Sequence, residues 1–243
     1  MENNTQNYAY NNVVQLDDAE VSSRKYLAKV FTWMFVALGV SAFIAFEFFL
    51  NKDLMQLIIN PITGPTGLGY IALFSPLAFS LVLSFGFNRL SYSAVVGLFL
   101  AYSVAIGITL SILGLMYTSG SIFGVFLSAA LVFAVMAIAG YRTRMDLTSF
   151  GSILYVIFIG AFIVGLVNFF IGSAQLQYIV SFVFVIVLVG LTSYYMQMLK
   201  RIGAGIEYGS AESKKLVIIG AFVLYTTFIN LFMSMLRIFG NRR

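Results

Sequence analysis

Seven long apolar runs, each closed by a short polar or turn-forming segment, occupy the chain from residue 27 onward. They cover about 27–50, 70–87, 93–117, 122–141, 153–171, 176–199 and 216–239. A helix rises about 1.5 Å per residue, so a run of about twenty residues matches the roughly 30 Å hydrocarbon core of a bilayer. The breaks are chemically clear. Pro61, Gly64 and Pro65 mark a loop with turns at 51–69, and Thr118 to Gly120 form a tight uncharged turn. Gly172-Ser173 end the fifth run, and 200–215 is the longest polar loop after the first. The pattern predicts an all-α membrane protein, a seven-transmembrane helix bundle over 24–243, with no second domain. Residues 1–23 are Asn-rich and acidic (Glu2, Asp17, Asp18, Glu20) and lack a basic start. They read as a polar, disordered tail and not as a signal peptide.

The last run differs from the others by a polar stripe. Thr226 or Thr227, then Asn230, then Ser234 recur at three- or four-residue spacing and share one helix face. In lipid that face needs partners on other helices, which predicts a central place for this helix in the bundle.

Composition narrows the class further. Hydrophobic residues make up 60% of the chain and charged residues 9%, too few to cover a soluble domain of this length. There is no Cys and no His, which excludes disulfides, thiol chemistry, Cys/His zinc sites and histidine proton relays. A net charge of +5 could suggest nucleic acid as a partner, but the basic residues sit in loops between apolar runs and read as topology signals. With the N-terminus in the cytoplasm, Arg24, Lys25, Lys29, Arg89, Arg142, Arg144, Lys200, Arg201, Lys214 and Lys215 fall inside. Only Lys52, Arg237, Arg242 and Arg243 fall outside. The C-terminus runs against the positive-inside rule, so one re-entrant segment is the alternative to seven spans.

Candidate chemistry is sparse. The chain has no Walker loop, no G-x-S-x-G, no H-E-x-x-H and no pair of membrane carboxylates, so neither an enzyme nor a cofactor or metal site is expected. Of nine Asp and Glu, only Glu47 falls within a run, three residues from its end. It reads either as an interfacial side chain or as a cation ligand facing a lumen. Arg89 and Arg237 read as interfacial anchors, and Asn168 as a bridge between helices. Tyr194, Tyr195 and Gln197 read as an interfacial aromatic cluster, and Gly107, Gly114, Gly160 and Gly165 as points of close helix packing.

Five segments, in order, carry a resemblance. They are Arg24 and Lys25 with Lys29-Val30-Phe31-Thr32-Trp33-Met34, then Asn88-Arg89-Leu90-Ser91, then Tyr117-Thr118-Ser119-Gly120-Ser121-Ile122. Gly140-Tyr141-Arg142-Thr143-Arg144-Met145-Asp146-Leu147-Thr148 and Leu224-Tyr225-Thr226-Thr227-Phe228-Ile229-Asn230-Leu231-Phe232 complete the set. The chain resembles the Bax inhibitor family over most of its length. The resemblance implies seven helices with the last in the centre of the other six. It also implies a cation leak, notably of calcium, gated by an aspartate pair on spans six and seven that an arginine from span two can join. This chain departs there. Ser193-Tyr194-Tyr195-Met196-Gln197-Met198 puts Tyr195 at one aspartate position, and Thr227 stands at the other. A neutral hydrogen bond between Tyr195 and Thr227 is expected in place of a shared proton, with Arg89 lacking an acid partner. Two functions follow from the resemblance. One is an ion path lined by Glu47, Asn230 and Thr227 in which acid-gated calcium flux is reduced or lost. The other is a non-conducting partner of another membrane protein, such as a protease. A bacterial inner membrane is the expected location.

Overall fold

The computed structural model describes residues 3–60, 63–86, 89–206 and 211–242, with side chains from Ala19 onward except Ser84 and Ala211. Among the described residues eight helices form in chain order: α1 Asn3–Leu50, α2 Lys52–Ile58, α3 Gly67–Gly86, α4 Tyr92–Met116, α5 Ser119–Arg142, α6 Thr148–Ile171, α7 Ala174–Gly205 and α8 Ala211–Phe239. Two-residue strands β1 Ile59–Asn60 and β2 Gly64–Pro65 pair antiparallel between α2 and α3. Local sequence explains the breaks. Asn51 caps α2, Ser91 caps α4 and Ser173 caps α7, each accepting from an amide that the first helical turn leaves free. Gly172 ends α6 at φ 71°, a left-handed conformation in which a Cβ would strain the backbone.

Six helices among the described residues are long and apolar enough to cross a membrane: α1 from Ala19, α4, α5, α6, α7 and α8. The expected second span is the exception. Its helix α3 starts on Gly67-Leu68-Gly69, carries Pro76 inside, and offers only the shorter apolar stretch Gly67–Leu83. The seven-span expectation is corrected to six full-length spans plus α3. Even so, α3 runs beside α4, with Thr109 Oγ1 near Ala72 O at 3.4 Å.

Hydrogen bonds identify the two ends of the bundle. At one end Ser23 Oγ donates to Lys200 O (3.0 Å) and Tyr26 OH to Leu216 O (2.9 Å), joining the start of the apolar part of α1 to the end of α7 and the start of α8. Lys200 Nζ adds Tyr141 O of α5 at 2.9 Å. At the other end Thr118 N donates to Asn241 O (3.1 Å), so the last residues dock on the α4–α5 turn. The polar tail 1–23, expected as disordered, has a helical backbone from Asn3, and its Ser22 and Ser23 already bond to the bundle.

Helix α8 is central. Of its apolar window 67% is buried, against 6% for α6. It packs on α1, α4, α5 and α7, while α3 leans on α4 and α6 on α7 from outside. The centre is thus ringed by four helices and not six. Close packing of glycine occurs at Gly107 against Ile44 and at Gly114 against Phe49, as expected, but Gly160 has open space and Gly165 only a distant Val180. Between two spanning helices the tightest approach is Gly140, where a Cβ would sit 2.2 Å from Ser193 O.

Candidate functional site

The hydrogen bonds of α8 to other helices in the middle of the bundle are made by Tyr225 and Thr226, only the second of which is on the expected polar stripe. Tyr225 is fully buried, and its hydroxyl lies 2.6 Å from Ser41 Oγ of α1. Ser41 Oγ also donates to Ser103 O of α4 at 2.7 Å. A serine hydroxyl has one proton, so Tyr225 donates to Ser41 and Ser41 to Ser103. One step along, Thr226 Oγ1 bonds Tyr102 OH of α4 at 3.3 Å. The rings of Phe99, Tyr102, Phe222 and Tyr225 surround this node edge to face. Three helices are therefore joined by a short chain of neutral hydroxyls in an apolar setting, where each unpaired hydroxyl would be costly.

The expected Tyr195–Thr227 bond is absent among the described residues. Thr227 is buried, but its Oγ1 donates to Val223 O of its own helix at 2.8 Å. Tyr195 is half-buried on α7 and stacks at a tilt on Tyr194, its ring centroid 5.4 Å away. Its hydroxyl has no hydrogen bond among the described residues. Physically, a threonine in a helix has a ready acceptor one turn back, and that bond needs no approach by another helix.

Asn230 is half-buried. It lies on a line of α8 with Ile219, Val223, Thr226 and Met233 that the neighbouring helices leave partly open. Glu47 is exposed on the outer face of α1 with Phe43, Phe46 and Leu50, so it does not line an interior path. Arg89 is exposed in the α3–α4 turn and makes no ion pair among the described residues. Asn168 does not bridge distant helices. Its Oδ1 accepts from Ser173 N (3.1 Å) and its Nδ2 donates to Ser173 O (3.1 Å), which locks the α6–α7 turn.

A second polar cluster binds residues 143–147 to α7, and the sequence reading missed it. Gln197 is buried; its Oε1 accepts from Leu147 N (2.9 Å) and its Nε2 donates to Met145 O (2.7 Å). Lys200 caps Tyr141 O and lies 4.4 Å over the Tyr141 ring. Arg201 pairs with Asp146 (2.9 Å) and reaches Thr148 Oγ1 (3.2 Å). Asp146 Oδ1 accepts from both the hydroxyl and the amide of Thr148, the first residue of α6. The Thr148 hydroxyl, then its amide, then Arg201 pull the Asp146 carboxyl down to about 2. The available signal was an amide inside an otherwise apolar run, seven residues past Gly190.

Among the described residues no group of three His, Cys, Asp or Glu could hold a metal ion. The bundle interior offers hydroxyls and amides, which can orient water or join helices but cannot gain or lose a proton near neutral pH.

Comparison with known proteins gives one consistent picture. The family described as "inhibitor of apoptosis-promoting Bax1" matches residues 23–243. The inner membrane protein YbhL of Escherichia coli strain K12 is 39% identical over 219 residues, covering 90% of this chain and 92% of that one. An uncharacterized protein of Rickettsia prowazekii is 36% identical, with 90% and 91% covered. An uncharacterized protein of Borreliella burgdorferi is 34% identical, with 90% and 93% covered.

Proposed function

This chain belongs to the Bax inhibitor family, and from that premise we propose that it is a bacterial inner-membrane leak protein without the family's acid-gated calcium latch. Its N-terminus lies in the cytoplasm in this reading, because the basic loop residues gather at that end of the bundle. One observation carries the proposal. The two positions where the resemblance puts aspartates hold Tyr195 and Thr227, and they are neither bonded to each other nor joined by any interior carboxylate among the described residues. Without acids there is neither a shared proton to titrate near neutral pH nor a charged pair to draw a divalent cation.

Purified protein in liposomes loaded with a calcium dye tests this. Wild-type influx should change little between about pH 8 and about pH 6, where a carboxylate pair would titrate. The double variant Tyr195→Asp with Thr227→Asp should acquire a dependence on pH in that window. Steep acid dependence in the wild type would sink the proposal.

A second reading is favoured by a different observation. The node of Ser41, Tyr225 and Ser103 closes the bundle centre with internal hydrogen bonds, as a non-conducting partner of another membrane protein would. Zero flux from both the wild type and the double variant, alongside co-purification of a membrane protease, would select it.

A further inference from the structure

An apolar groove runs along the outside of the bundle between α1 and α5. Its walls are Phe31 and Phe35 of α1 and Phe126, Ala134 and Ile138 of α5, and Phe228 of α8 forms part of the floor. The rim is open to the surrounding medium, with Phe35 66% and Ile138 55% exposed. Its volume is about 510 Å³. From Phe126 to Arg142 it follows about 24 Å of helix.

The groove is chemically one-sided. Its lining is apolar until Tyr141 and Arg142 at the basic end of the bundle. Arg142 is exposed and makes no ion pair among the described residues. Lys200 holds the Tyr141 carbonyl beside it, and Arg24 on α1 lies close enough to interact with Tyr141 as well as Glu20. An apolar slot ending in cations complements a molecule with a hydrocarbon tail and an anionic head. The slot is longer than the roughly 15 Å depth of one leaflet's hydrocarbon, so one acyl chain fits along it.

We propose that this groove is a binding site for an anionic phospholipid of the leaflet at the basic end, with one acyl chain between α1 and α5 and the phosphate at Arg142. The site is distinct from the α8 interior and does not rest on the leak reading.

Native mass spectrometry of the purified full-length chain, titrated with phosphatidylglycerol or phosphatidylcholine of the same acyl composition, tests the assignment. The wild type should retain phosphatidylglycerol at about tenfold lower concentration, the value of one charge-assisted contact. Arg142→Gln should abolish that preference and Arg142→Lys should keep it. Ala134→Phe, which fills the slot, should weaken retention of both lipids, and Ala130→Leu serves as the milder filler if the first variant does not fold. Equal retention of the two lipids by the wild type would overturn the proposal. So would an equal effect of Arg144→Gln, which changes charge at the same end but off the groove. Competition by glycerol phosphate as strong as by phosphatidylglycerol would reduce the site to an anion patch and also overturn it.

Discussion

Removing either end of the Tyr225–Ser41–Ser103 chain should have unequal effects. Tyr225→Phe deletes a terminal donor and leaves Ser41 bonded to Ser103, so it should cost about 0.6 kcal/mol, the mean for hydrogen bonds between membrane helices. Ser41→Ala removes the closest partner of the fully buried Tyr225 hydroxyl and should cost about 1–3 kcal/mol. Thermal unfolding of each variant in one detergent gives both values, and a larger loss for Tyr225→Phe would refute the donor order. A steric prediction sits beside it. A Cβ at Gly140 would lie 2.2 Å from Ser193 O and 2.7 Å from Ser193 Cα, both backbone atoms that cannot swing aside. Gly140→Ala should therefore push α5 off α7 at a cost of about 1–3 kcal/mol, although alanine is the better helix former. Gly160→Ala, with nothing within 4 Å, should be neutral or mildly stabilising in the same assay.

The binding of residues 143–147 to α7 makes a prediction for a whole element. Gln197→Ala strands Leu147 N and Met145 O, which should loosen the loop while the helices stay paired. Arg142 at the edge of the loop and Arg144 inside it are exposed, so trypsin should cut the variant there several-fold faster than the wild type. Equal cutting would mean that the loop is held by Arg201 alone. The Asp146 contact adds a pH window. Its folded carboxyl lies at about 2, below the usual 3.8, so its contribution is present above about pH 4 and fades as pH falls toward 2. The stability difference between wild type and Asp146→Asn should be flat from about pH 8 to about pH 5 and shrink only below about pH 4. The helices and the central place of α8 were legible from the sequence because apolar length and the polar stripe report directly on burial in lipid. The partners of the stripe were not. Spacing along α8 puts Tyr225 and Thr227 on different faces, but nothing local says that α1 and α4 bring Ser41 and Ser103 to the first of them. The two readings of Glu47 separate for a related reason, since only packing shows it sharing the outer face with Phe43 and Phe46.

At the scale of the molecule, the charge at the two ends can be set against the number of crossings. Bonds among Ser23, Tyr26, Tyr141, Lys200 and Leu216 gather the starts of α1 and α8 with the ends of α5 and α7, and most of the basic loop residues belong to that end. The opposite end carries Lys52, Arg237 and the docked segment from Gly240 to Arg242, held at the α4–α5 turn. Six crossings would return the C-terminus to the side of the N-terminus, whereas seven would leave it opposite. The outcome therefore depends on α3, whose apolar stretch is the shortest and contains Pro76. Because α4 starts near the turn at Ser91 and ends at the docked C-terminus, a complete traverse by α3 places the two chain ends on opposite faces. Alkaline phosphatase fused after Arg243 should then be active, and a fluorescent reporter fused after Gly205 should be bright, as expected for a cytoplasmic end rich in Lys and Arg. Cytoplasmic signal from both fusions would mean that α3 enters and leaves by one face, with Arg237 and Arg242 returned to the side that basic residues prefer.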